Sequence, residues 1–240
     1  MNAKSKLSST LGKWPQLLGM GALTIALVGI WQSSHAQEAV YKIAPPTLDE
    51  QPAGKTLSRA VVAGGCFWGV QAVFQHVNGV KNAVSGYAGG DAGSASYQAV
   101  SGGRTGHAEA VEISYDPAVV SYGQLLQIYF SVAHDPTQLN RQGPDTGTQY
   151  RSTVFPVDAE QAKVVSAYID QLNKSGVYPA KLATTIEPQK AFYKAENYHQ
   201  DYLVKNPHQP YIVINDAPKV ENLAKVFPAS YRDKPVLVAR

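Results

Sequence analysis

The sequence predicts an α+β protein, built as a two-layer sandwich with long loops and an extended C-terminal tail. Short apolar or alternating segments, typical of strands, occur in turn with longer segments of helical periodicity. The predicted strands are few and are separated by long loops, which favours the α+β class over a repeating α/β arrangement. With 240 residues, of which 44% are hydrophobic and 16% are charged, the chain can form one hydrophobic core or at most two small domains.

The predicted strands are short. Residues 59–65 form an apolar run that ends in two glycines, which indicates a buried strand followed by a tight turn. Residues 109–115 alternate with a period of two, as in a strand that packs on one face. Further strands are predicted at 80–87, 151–157 and 183–187.

The predicted helices separate these strands. Pro117 suits the first position of a helix, and Asp158 followed by Gln161 matches the capping pattern at the start of another. After the last helix the chain is expected to be mostly an irregular tail. The predicted helices cover 67–77, 116–133, 158–174 and 195–205, with a single helical turn near 221–226.

Residues 1–36 have the layout of a secretory signal peptide. Three lysines precede a charge-free apolar run, and Ser34-His35-Ala36 places small residues at the positions before a cleavage site. We therefore expect export to the periplasm or the medium with cleavage after Ala36, and an uncleaved membrane anchor is the alternative. Residues 37–57 are expected to form a linker or a loosely packed arm before a single domain at 58–240.

The charge distribution argues against nucleic acid as a partner. The chain has 21 Lys and Arg and 18 Asp and Glu, a net charge of +3. Three of the lysines lie in residues 1–36, which contain no acid, so the remainder has no net charge. A neutral body gives no electrostatic footprint for a polyanion.

Sulfur-containing residues are sparse. Cys66 is the only cysteine, so it cannot form an internal disulfide, and it is either a small buried hydrophobe or a reactive thiol. Both methionines, Met1 and Met20, lie in the predicted signal peptide. A body without methionine suits a protein that works among oxidants, because methionine is readily oxidised to its sulfoxide.

Cys66 is predicted to lie where a strand turns into a helix. The sequence Gly64-Gly-Cys-Phe-Trp-Gly69 would place the thiol at a helix N-terminus, where the amides and the helix dipole stabilise a thiolate. Phe67 and Trp68 follow in the first helical turn. Either one ring belongs to the core and one to the surface, or both form an aromatic wall beside the thiol, where sulfur and methyl groups pack well.

The segment Gly65-Cys-Phe-Trp-Gly69 resembles the signature of the peptide methionine sulfoxide reductase A family. The resemblance extends over roughly residues 60–232 and implies an α+β sandwich related to the ferredoxin-like type, in agreement with the predicted element order. Seven further blocks match in the same order, namely 85–90, Tyr97, 105–111, 134–137, 140–145, 147–152 and 196–200.

The resemblance implies an enzyme that reduces methionine S-sulfoxide in proteins and so repairs them; it leaves open whether the free amino acid is also a substrate. Cys66 matches the family's nucleophile, which takes the oxygen and becomes a sulfenic acid. Glu109 matches its acid, held protonated so that it can donate to the sulfoxide oxygen. Asp145 matches a carboxylate that helps to orient the site.

The resemblance also implies the residues that bind the substrate. Phe67 and Trp68 match the pocket that grips the S-methyl group. Tyr97 and Tyr150 match hydroxyl groups that hydrogen-bond near the sulfoxide oxygen. These residue types suit the chemistry, because a sulfoxide carries a polar oxygen beside an apolar methyl group.

Residue types alone leave several of these roles open. A neutral carboxylic acid could supply the proton that makes a sulfoxide electrophilic, but Glu109 could equally be a solvated carboxylate. Tyr97 could belong to the core, and Asp145 could be a turn residue. His107 and His199 could act as a base for the thiol, or could simply pack and hydrogen-bond.

Three other classes of protein compete with the reductase. A cysteine hydrolase would pair Cys66 with His107 or His199 and use the helix-start amides as an oxyanion hole. A one-cysteine peroxidase would also produce a sulfenic acid. A binding module could grip methionine side chains without using the thiol.

The C-terminal segment departs from the family pattern. Many members carry one or two further cysteines there, which form a disulfide with the oxidised nucleophile, whereas residues 206–240 contain none. The sulfenic acid on Cys66 must therefore be reset by an external thiol. The resemblance implies a thioredoxin-like reductant, neither metal nor prosthetic cofactor, and oxidised proteins as substrates. We expect the enzyme to be a monomer.

Overall fold

The computed structural model describes residues 40–51, 54, 56–188 and 191–238. The predicted signal peptide and its cleavage site lie outside this part of the chain. Within it, no helix is both long enough and apolar enough to cross a membrane.

Strands and helices follow one another along the described chain. The strands are β1 (Ser58–Ala63), β2 (Val80–Ala88), β3 (Ala108–Tyr115), β4 (Arg141–Gln142), β5 (Asp145–Thr146), β6 (Thr153–Val154), β7 (Thr185–Ile186) and β8 (Phe192–Lys194). The helices are α1 (Phe67–Gln75), α2 (Tyr97–Val100), α3 (Tyr122–Ile128), α4 (Ala159–Ser175), α5 (Tyr202–Lys205) and α6 (Ala217–Val226). Single turns of 3₁₀ helix occur at Ala92–Ser94, Thr148–Tyr150 and Asn197–His199, and π-helical turns at Tyr129–Ala133 and Ile212–Asp216.

A six-stranded mixed sheet organises the molecule, in the order β7-β6-β1-β3-β2-β8. Its strand pairs are antiparallel except for β6 with β7, which run parallel. The predicted α+β class is confirmed, while the ferredoxin-like sandwich stays a prediction. The strands predicted at 151–157 and 183–187 are present but shorter, and β8 was not predicted.

Side chains alternate between the two faces of β3, and this alternation positions the acid that the sequence singles out. Val111 and Ile113 belong to the main hydrophobic core, which also contains the buried side of α1. Ala108 and Ala110 belong to a smaller cluster on the opposite face. The first half of β3 is therefore buried on both faces, not on one as predicted. Glu109 shares the face of Val111, toward α1.

The segment before β1 is packed, contrary to the prediction of a linker or a loose arm. Along residues 40–51 the backbone carbonyl of Ala44 accepts a hydrogen bond from the Tyr168 hydroxyl at 2.7 Å. The Asp49 carboxylate accepts one from the Gly123 amide, also at 2.7 Å. These bonds hold the segment against α4 and the start of α3.

Side-chain caps mark where α3 and α4 begin. Ser121 Oγ accepts from the Gln124 amide at 3.1 Å, and Gln124 Oε1 accepts from the Ser121 amide at 2.9 Å. This reciprocal box satisfies two amides that the helix cannot, so α3 begins after Ser121 and the predicted start at Pro117 was wrong. The cap at Asp158 is confirmed, because its Oδ1 accepts from the Gln161 amide at 2.9 Å.

The helix predicted over 195–205 is broken by tertiary hydrogen bonds. The Gln200 side chain accepts from the Ser85 amide at 3.0 Å and donates to the Ser85 carbonyl at 2.9 Å, as a neighbouring strand would. The next residue, Asp201, has a φ of 56°, which ends any helical continuation. A 3₁₀ turn and the short α5 replace the predicted helix.

The prediction of a mostly irregular tail was also wrong. The π-helical turn Ile212–Asp216 leads directly into α6, and both pack against α1. Ile212 and Leu223 are fully buried in this contact. The tail therefore supplies side chains to the N-terminal end of α1, which is where Cys66 lies.

The cap at Ser121 gives a test of the local folding argument. We expect Ser121→Ala to lower the free energy of unfolding by about 2 kcal/mol, the upper part of the usual range for a lost cap, because Ser121 Oγ also donates to Asp49. Urea denaturation followed by circular dichroism measures the change. Ser166→Ala, at an exposed position in α4, is the control and should change stability little. Equal effects of the two substitutions would contradict the argument.

Candidate active site

Cys66 is the residue immediately before α1, as the sequence predicted, and its side chain is 8% exposed. The preceding Gly65 has a φ of +87°, a conformation that suits glycine. A Cβ added at Gly64 would lie 2.7 Å from the His134 ring, so this position also needs glycine. The two glycines let the loop that follows α3 pack closely over the turn that carries the thiol.

Glu109 is buried beneath the first turn of α1. It is 2% exposed, and its Oε2 accepts a hydrogen bond from the Phe67 amide at 3.1 Å. Burial raises the pKa of Glu109 to about 8; the Phe67 amide acts in the opposite direction, and the charges of Asp145 and Asp216 add to the increase. Glu109 is therefore protonated at neutral pH. Because Oε2 accepts from an amide, the proton belongs on Oε1.

Tyr97 and Tyr150 lie near Glu109 and Cys66. Burial raises the pKa of Tyr97 and of Tyr150 above the ordinary tyrosine value, and the charges of Glu109 and Cys66 raise both further. Both phenols therefore stay protonated and can donate hydrogen bonds. Within the described chain, neither hydroxyl has a hydrogen-bond partner, so both are available to a bound molecule.

The two aromatic residues after Cys66 take different positions. Phe67 is 1% exposed and belongs to the core, with its ring centroid 5.9 Å from that of Tyr87. Trp68 is partly exposed and stacks on Tyr202, with ring centroids 3.7 Å apart and planes 5° apart. Phe67 thus lines the inner side of the site and Trp68 its outer side.

Asp145 links the central loop to the tail. Its Oδ2 accepts a hydrogen bond from the Tyr211 hydroxyl, and burial raises the pKa of Asp145. The charge of Asp145 also raises the pKa of Cys66, Glu109, Tyr97 and Tyr150, so the five predicted catalytic residues lie near one another.

The sequence argument missed two residues of this site, both in the tail. Tyr211 binds Asp145, and Asp216 lies fully buried, 3.6 Å from the Lys219 ammonium group. Asp216 packs so closely against Gly69 in α1 that an added Cβ would lie 2.2 Å from its Oδ1. The apolar run that follows Tyr211 was the available signal, because an irregular surface tail would not need it.

The two histidines left open by the sequence have different surroundings. His107 accepts from the Gly90 amide at 3.2 Å through Nδ1, and its Nε2 lies 3.1 Å from the Asp91 carbonyl, so it shapes a loop. His199 Nδ1 accepts from Trp68 Nε1 at 3.1 Å. Within the described residues neither histidine hydrogen-bonds to Cys66, and the pairing required by a cysteine hydrolase is absent.

The expectation of a stabilised thiolate at Cys66 was wrong for the resting protein. Burial raises the pKa of the Cys66 thiol well above its ordinary value, and the negative charges of Glu109 and Asp216 raise it further. The Trp68 amide acts in the opposite direction but does not outweigh burial. The helix N-terminus is present as predicted, yet desolvation of the charged form is the larger effect.

The arrangement is that of a thiol-dependent oxidoreductase. A thiol at a helix start lies with a neutral carboxylic acid, two hydroxyl donors and aromatic rings, a set that can bind and protonate a small polar oxygen beside an apolar group. In the described part of the chain, no group of three or more His, Cys, Asp or Glu side chains could hold a metal ion.

Comparison with known proteins agrees with this class. The sequence profile of the family described as "Peptide methionine sulfoxide reductase" matches residues 58–231. A peptide methionine sulfoxide reductase MsrA 2 of Mesorhizobium japonicum is 63% identical over 179 residues, covering 75% of this chain and 92% of the relative. One of the same name from Synechocystis is 50% identical over 197 residues, covering 80% of this chain and 90% of the relative.

Solved structures give the same result. Reduced Mxr1 from Saccharomyces cerevisiae is similar with a TM-score of 0.57 and 37% identity, covering 68% of this chain and 92% of Mxr1. Methionine sulfoxide reductase A of Corynebacterium diphtheriae is similar with a TM-score of 0.55 and 31% identity, covering 72% of this chain and 89% of that protein. The chain belongs to the peptide methionine sulfoxide reductase family, and it reduces methionine sulfoxide.

The effect of the Asp216 charge on the pKa of the Cys66 thiol should be measurable. We expect slow alkylation of Cys66 by iodoacetamide at neutral pH, because the high pKa leaves little thiolate. Asp216→Asn should speed alkylation several-fold, because removing a nearby negative charge lowers the pKa of the thiol and so leaves more thiolate. The measurement is the alkylation rate against pH. Asp170→Asn, exposed on α4, is the control; an unchanged rate in Asp216→Asn would contradict the electrostatic argument.

Proposed function

We propose that Cys66 is the nucleophile and Glu109 the general acid in the reduction of methionine S-sulfoxide, and that an external thiol completes the cycle. The observation that carries this proposal is the buried carboxyl group of Glu109. Its pKa of about 8 keeps it neutral at physiological pH, and its Oε2 is bound by the amide of the residue that follows Cys66. A neutral acid beside a thiol is what an unreactive sulfoxide requires.

The first step activates the sulfoxide. A sulfoxide sulfur is a poor electrophile until its oxygen accepts a proton. Glu109 Oε1 can donate that proton, while the Tyr97 and Tyr150 hydroxyls donate hydrogen bonds to the same oxygen. Donors that are held in position before the reaction would stabilise the developing charge without rearrangement.

The second step transfers the oxygen to the enzyme. The Cys66 sulfur forms a bond to the activated sulfoxide sulfur. The S–O bond of the substrate then breaks as the hydroxyl group moves to Cys66, and the S–S bond breaks as methionine leaves. The thiol is oxidised by two electrons to a sulfenic acid and the sulfoxide is reduced by two electrons to a thioether. The thiol loses its proton as it attacks, and the carboxylate that Glu109 has become can accept it. The net transfer therefore leaves Glu109 neutral again.

The aromatic side chains and the tail hold the substrate in place. Phe67 and Trp68 would surround the S-methyl group, because methyl and sulfur groups pack favourably on aromatic rings. Asp145 would orient the site through the tail, since its bond to Tyr211 joins the loop that carries Tyr150 to the segment beneath Trp68.

An external thiol must reset the enzyme, because the chain contains no second cysteine. Attack of this thiol on the sulfenic acid forms a mixed disulfide with Cys66 and releases water, and a second thiol then frees Cys66. A thioredoxin-like protein supplies both thiols in one molecule. We place this reaction outside the cytoplasm, in the periplasm or the medium, because residues 1–36 have the features of a signal peptide.

The role of Glu109 can be tested by its pH dependence. We expect Glu109→Ala to slow single-turnover reduction of the sulfoxide by roughly 10²–10⁴-fold, the usual size of general acid catalysis. The wild-type rate should fall as pH rises through about 8, because the acid is protonated only below its pKa. In Glu109→Ala the inflection near pH 8 should disappear, and the variant's rate should rise at low pH, where solvent supplies the proton and the deficit shrinks.

Glu112→Gln is a matched control on the same strand. Glu112 lies on the opposite face from Glu109 and is bound to Arg59 at 2.8 Å. Its substitution should leave the rate within about twofold of wild type. A near-normal single-turnover rate of Glu109→Ala at neutral pH, where the wild-type acid is protonated, would show that Glu109 is only structural.

The absence of a second cysteine predicts how much methionine each chain releases when no reductant is present. Mixing reduced enzyme with excess sulfoxide, without reductant, should release one methionine per chain, because Cys66 is the only thiol. The protein should gain the mass of one oxygen atom and react with dimedone, which labels sulfenic acids. A small thiol should then give a mixed disulfide and restart turnover. Release of two methionines per chain would refute the one-cysteine cycle.

Export has a direct test as well. We expect sequencing of the N-terminus of the purified protein from its native host to begin at Gln37, because Ala36 ends the cleavage pattern. Ala36→Leu, which removes the small residue, should impair cleavage, whereas Ala53→Leu should not. A start at Met1 in protein that only detergent extracts would support the membrane anchor instead.

A further inference from the structure

A buried ion pair in the tail lies against the first turn of α1. Asp216 is fully buried, Lys219 is 6% exposed, and Lys219 Nζ lies 3.6 Å from Asp216 Oδ1. Both side chains pack on Gly69, where an added Cβ would lie 2.2 Å from Asp216 Oδ1 and 3.2 Å from Lys219 Cδ. The pair therefore occupies space that a larger residue at this position of α1 would fill.

Packing alone does not explain why these two side chains are charged. Removing two ions from water costs free energy that their mutual attraction does not always recover, and a well-packed apolar pair is often at least as stable. Apolar side chains of similar size could hold the tail against α1 without that cost. The consequence of the two charges lies instead in the groups that surround them.

The negative end of the pair acts on the acid and on the thiol. The Phe67 amide binds Glu109 Oε2 at 3.1 Å. Asp216 packs on Gly69, which belongs to the same helical turn, and one turn of α-helix is only about 5.4 Å long. Burial raises the pKa of Glu109 to about 8, and the nearby charge of Asp216 contributes to the increase. The same charge raises the pKa of the buried Cys66 thiol.

The positive end of the pair faces a second carboxylate. Burial raises the pKa of Asp145, and the Tyr211 hydroxyl and the Lys219 ammonium group oppose this increase. A cation also favours the ionised form of a carboxylate that it contacts, which here is Asp216. Lys219 thus favours the ionised form of two carboxylates, and both of these charges favour a proton on Glu109.

The other titratable groups around Glu109 carry no charge at neutral pH. Their pKa values are raised, and burial is the largest cause in each case. These groups are Cys66 at the start of α1, Tyr87 on β2, Tyr97 on α2 and Tyr150 before β6. The charges that raise the pKa of Glu109 are those of Asp145 and Asp216.

We propose that Asp216, kept ionised by Lys219, is a positioning residue that retains the proton on Glu109 until the sulfoxide is bound. The inference rests on the proposed role of Glu109 as the general acid. A protonated Glu109 is neutral beside the fixed charge of Asp216, whereas loss of the proton would place two anions against one helical turn. The tail thus contributes to the protonation state of an acid on β3.

The titration of Glu109 can be measured without turnover in Cys66→Ser, which replaces a neutral thiol by a neutral hydroxyl. The infrared carbonyl band of a protonated carboxylic acid should disappear there as pH rises through about 8, and adding Glu109→Gln should remove this band. Adding Asp216→Asn instead should move the midpoint to lower pH, because a negative charge is lost. At a pH of about 8 the band should then be roughly two- to fivefold weaker than in Cys66→Ser alone.

Three substitutions in α6, made in the same background, control for effects of structure. Glu221→Gln removes an exposed acid, which pairs with Lys225 at 3.5 Å, and should leave the midpoint unchanged. Lys219→Arg keeps the cation and should also leave it unchanged. Lys219→Met removes the cation, so the buried Asp216 carboxylate should take up a proton and the Glu109 midpoint should move to lower pH, as in Asp216→Asn.

The single-turnover rate should follow the titration. In the active enzyme, Asp216→Asn should shift the fall in rate near pH 8 to lower pH, because the acid loses its proton earlier. The substitution also acts on the thiol, so the same change in a Glu109→Ala background measures the contribution of the thiol alone. An equal shift with and without Glu109 would contradict the proposal.

The outcomes separate the proposed function from this inference. If Glu109→Gln leaves the carboxyl band in place, Glu109 is not the protonated acid and the proposed function fails. If the band belongs to Glu109 but titrates alike in Asp216→Asn and Glu221→Gln, the role of Asp216 alone is refuted. A midpoint that rises or does not move in Lys219→Met would refute the part assigned to Lys219. Circular dichroism confirms that each variant is folded, and should Asp216→Asn fail to fold, Lys219→Met still decides.

Discussion

The hydrogen bond from the Phe67 amide to Glu109 is the contact on which the site depends. It joins the first turn of α1 to β3 and occupies one carboxyl oxygen, so the proton of the neutral acid remains on the other. The same bond fixes the acid relative to Cys66, which precedes Phe67 in the chain. The position of Glu109 and its protonation state therefore both depend on this hydrogen bond, and both require that Glu109 be buried.

Burial has a larger effect than the helix dipole on the charge states of Cys66 and Glu109. A helix N-terminus stabilises an adjacent anion by about 0.3–1 kcal/mol, and by about 2 kcal/mol in favourable buried geometry. Full burial can shift a pKa by up to about 3–5 units, each worth about 1.4 kcal/mol. Cys66 and Glu109 are therefore both neutral in the resting enzyme. Thiolate and carboxylate form only as the protons move during the reaction, which suits a substrate that must itself be protonated.

The segment after β8 packs around the site and contains no cysteine. It contributes Tyr202 and His199 around Trp68, Tyr211 on Asp145, and Asp216 against α1. A tail that is packed in this way closes one side of the site and carries no thiol. The chain thus contains the groups that reduce the sulfoxide, whereas the thiol that reduces the sulfenic acid on Cys66 must come from outside it.

Local patterns in the sequence predicted much of the fold and of the site of this protein. Periodicity predicted the α+β class and the strand that carries Glu109, the glycine pair located Cys66 at the helix start, and the single cysteine required an external reductant. Tertiary structure decided the rest. Gln200 bonds to the edge of β2 instead of continuing a helix, the tail folds onto α1, and desolvation overrides the helix dipole at Cys66. Each of these depends on which distant residues exclude water or offer a partner, and that information is not contained in any short stretch of sequence.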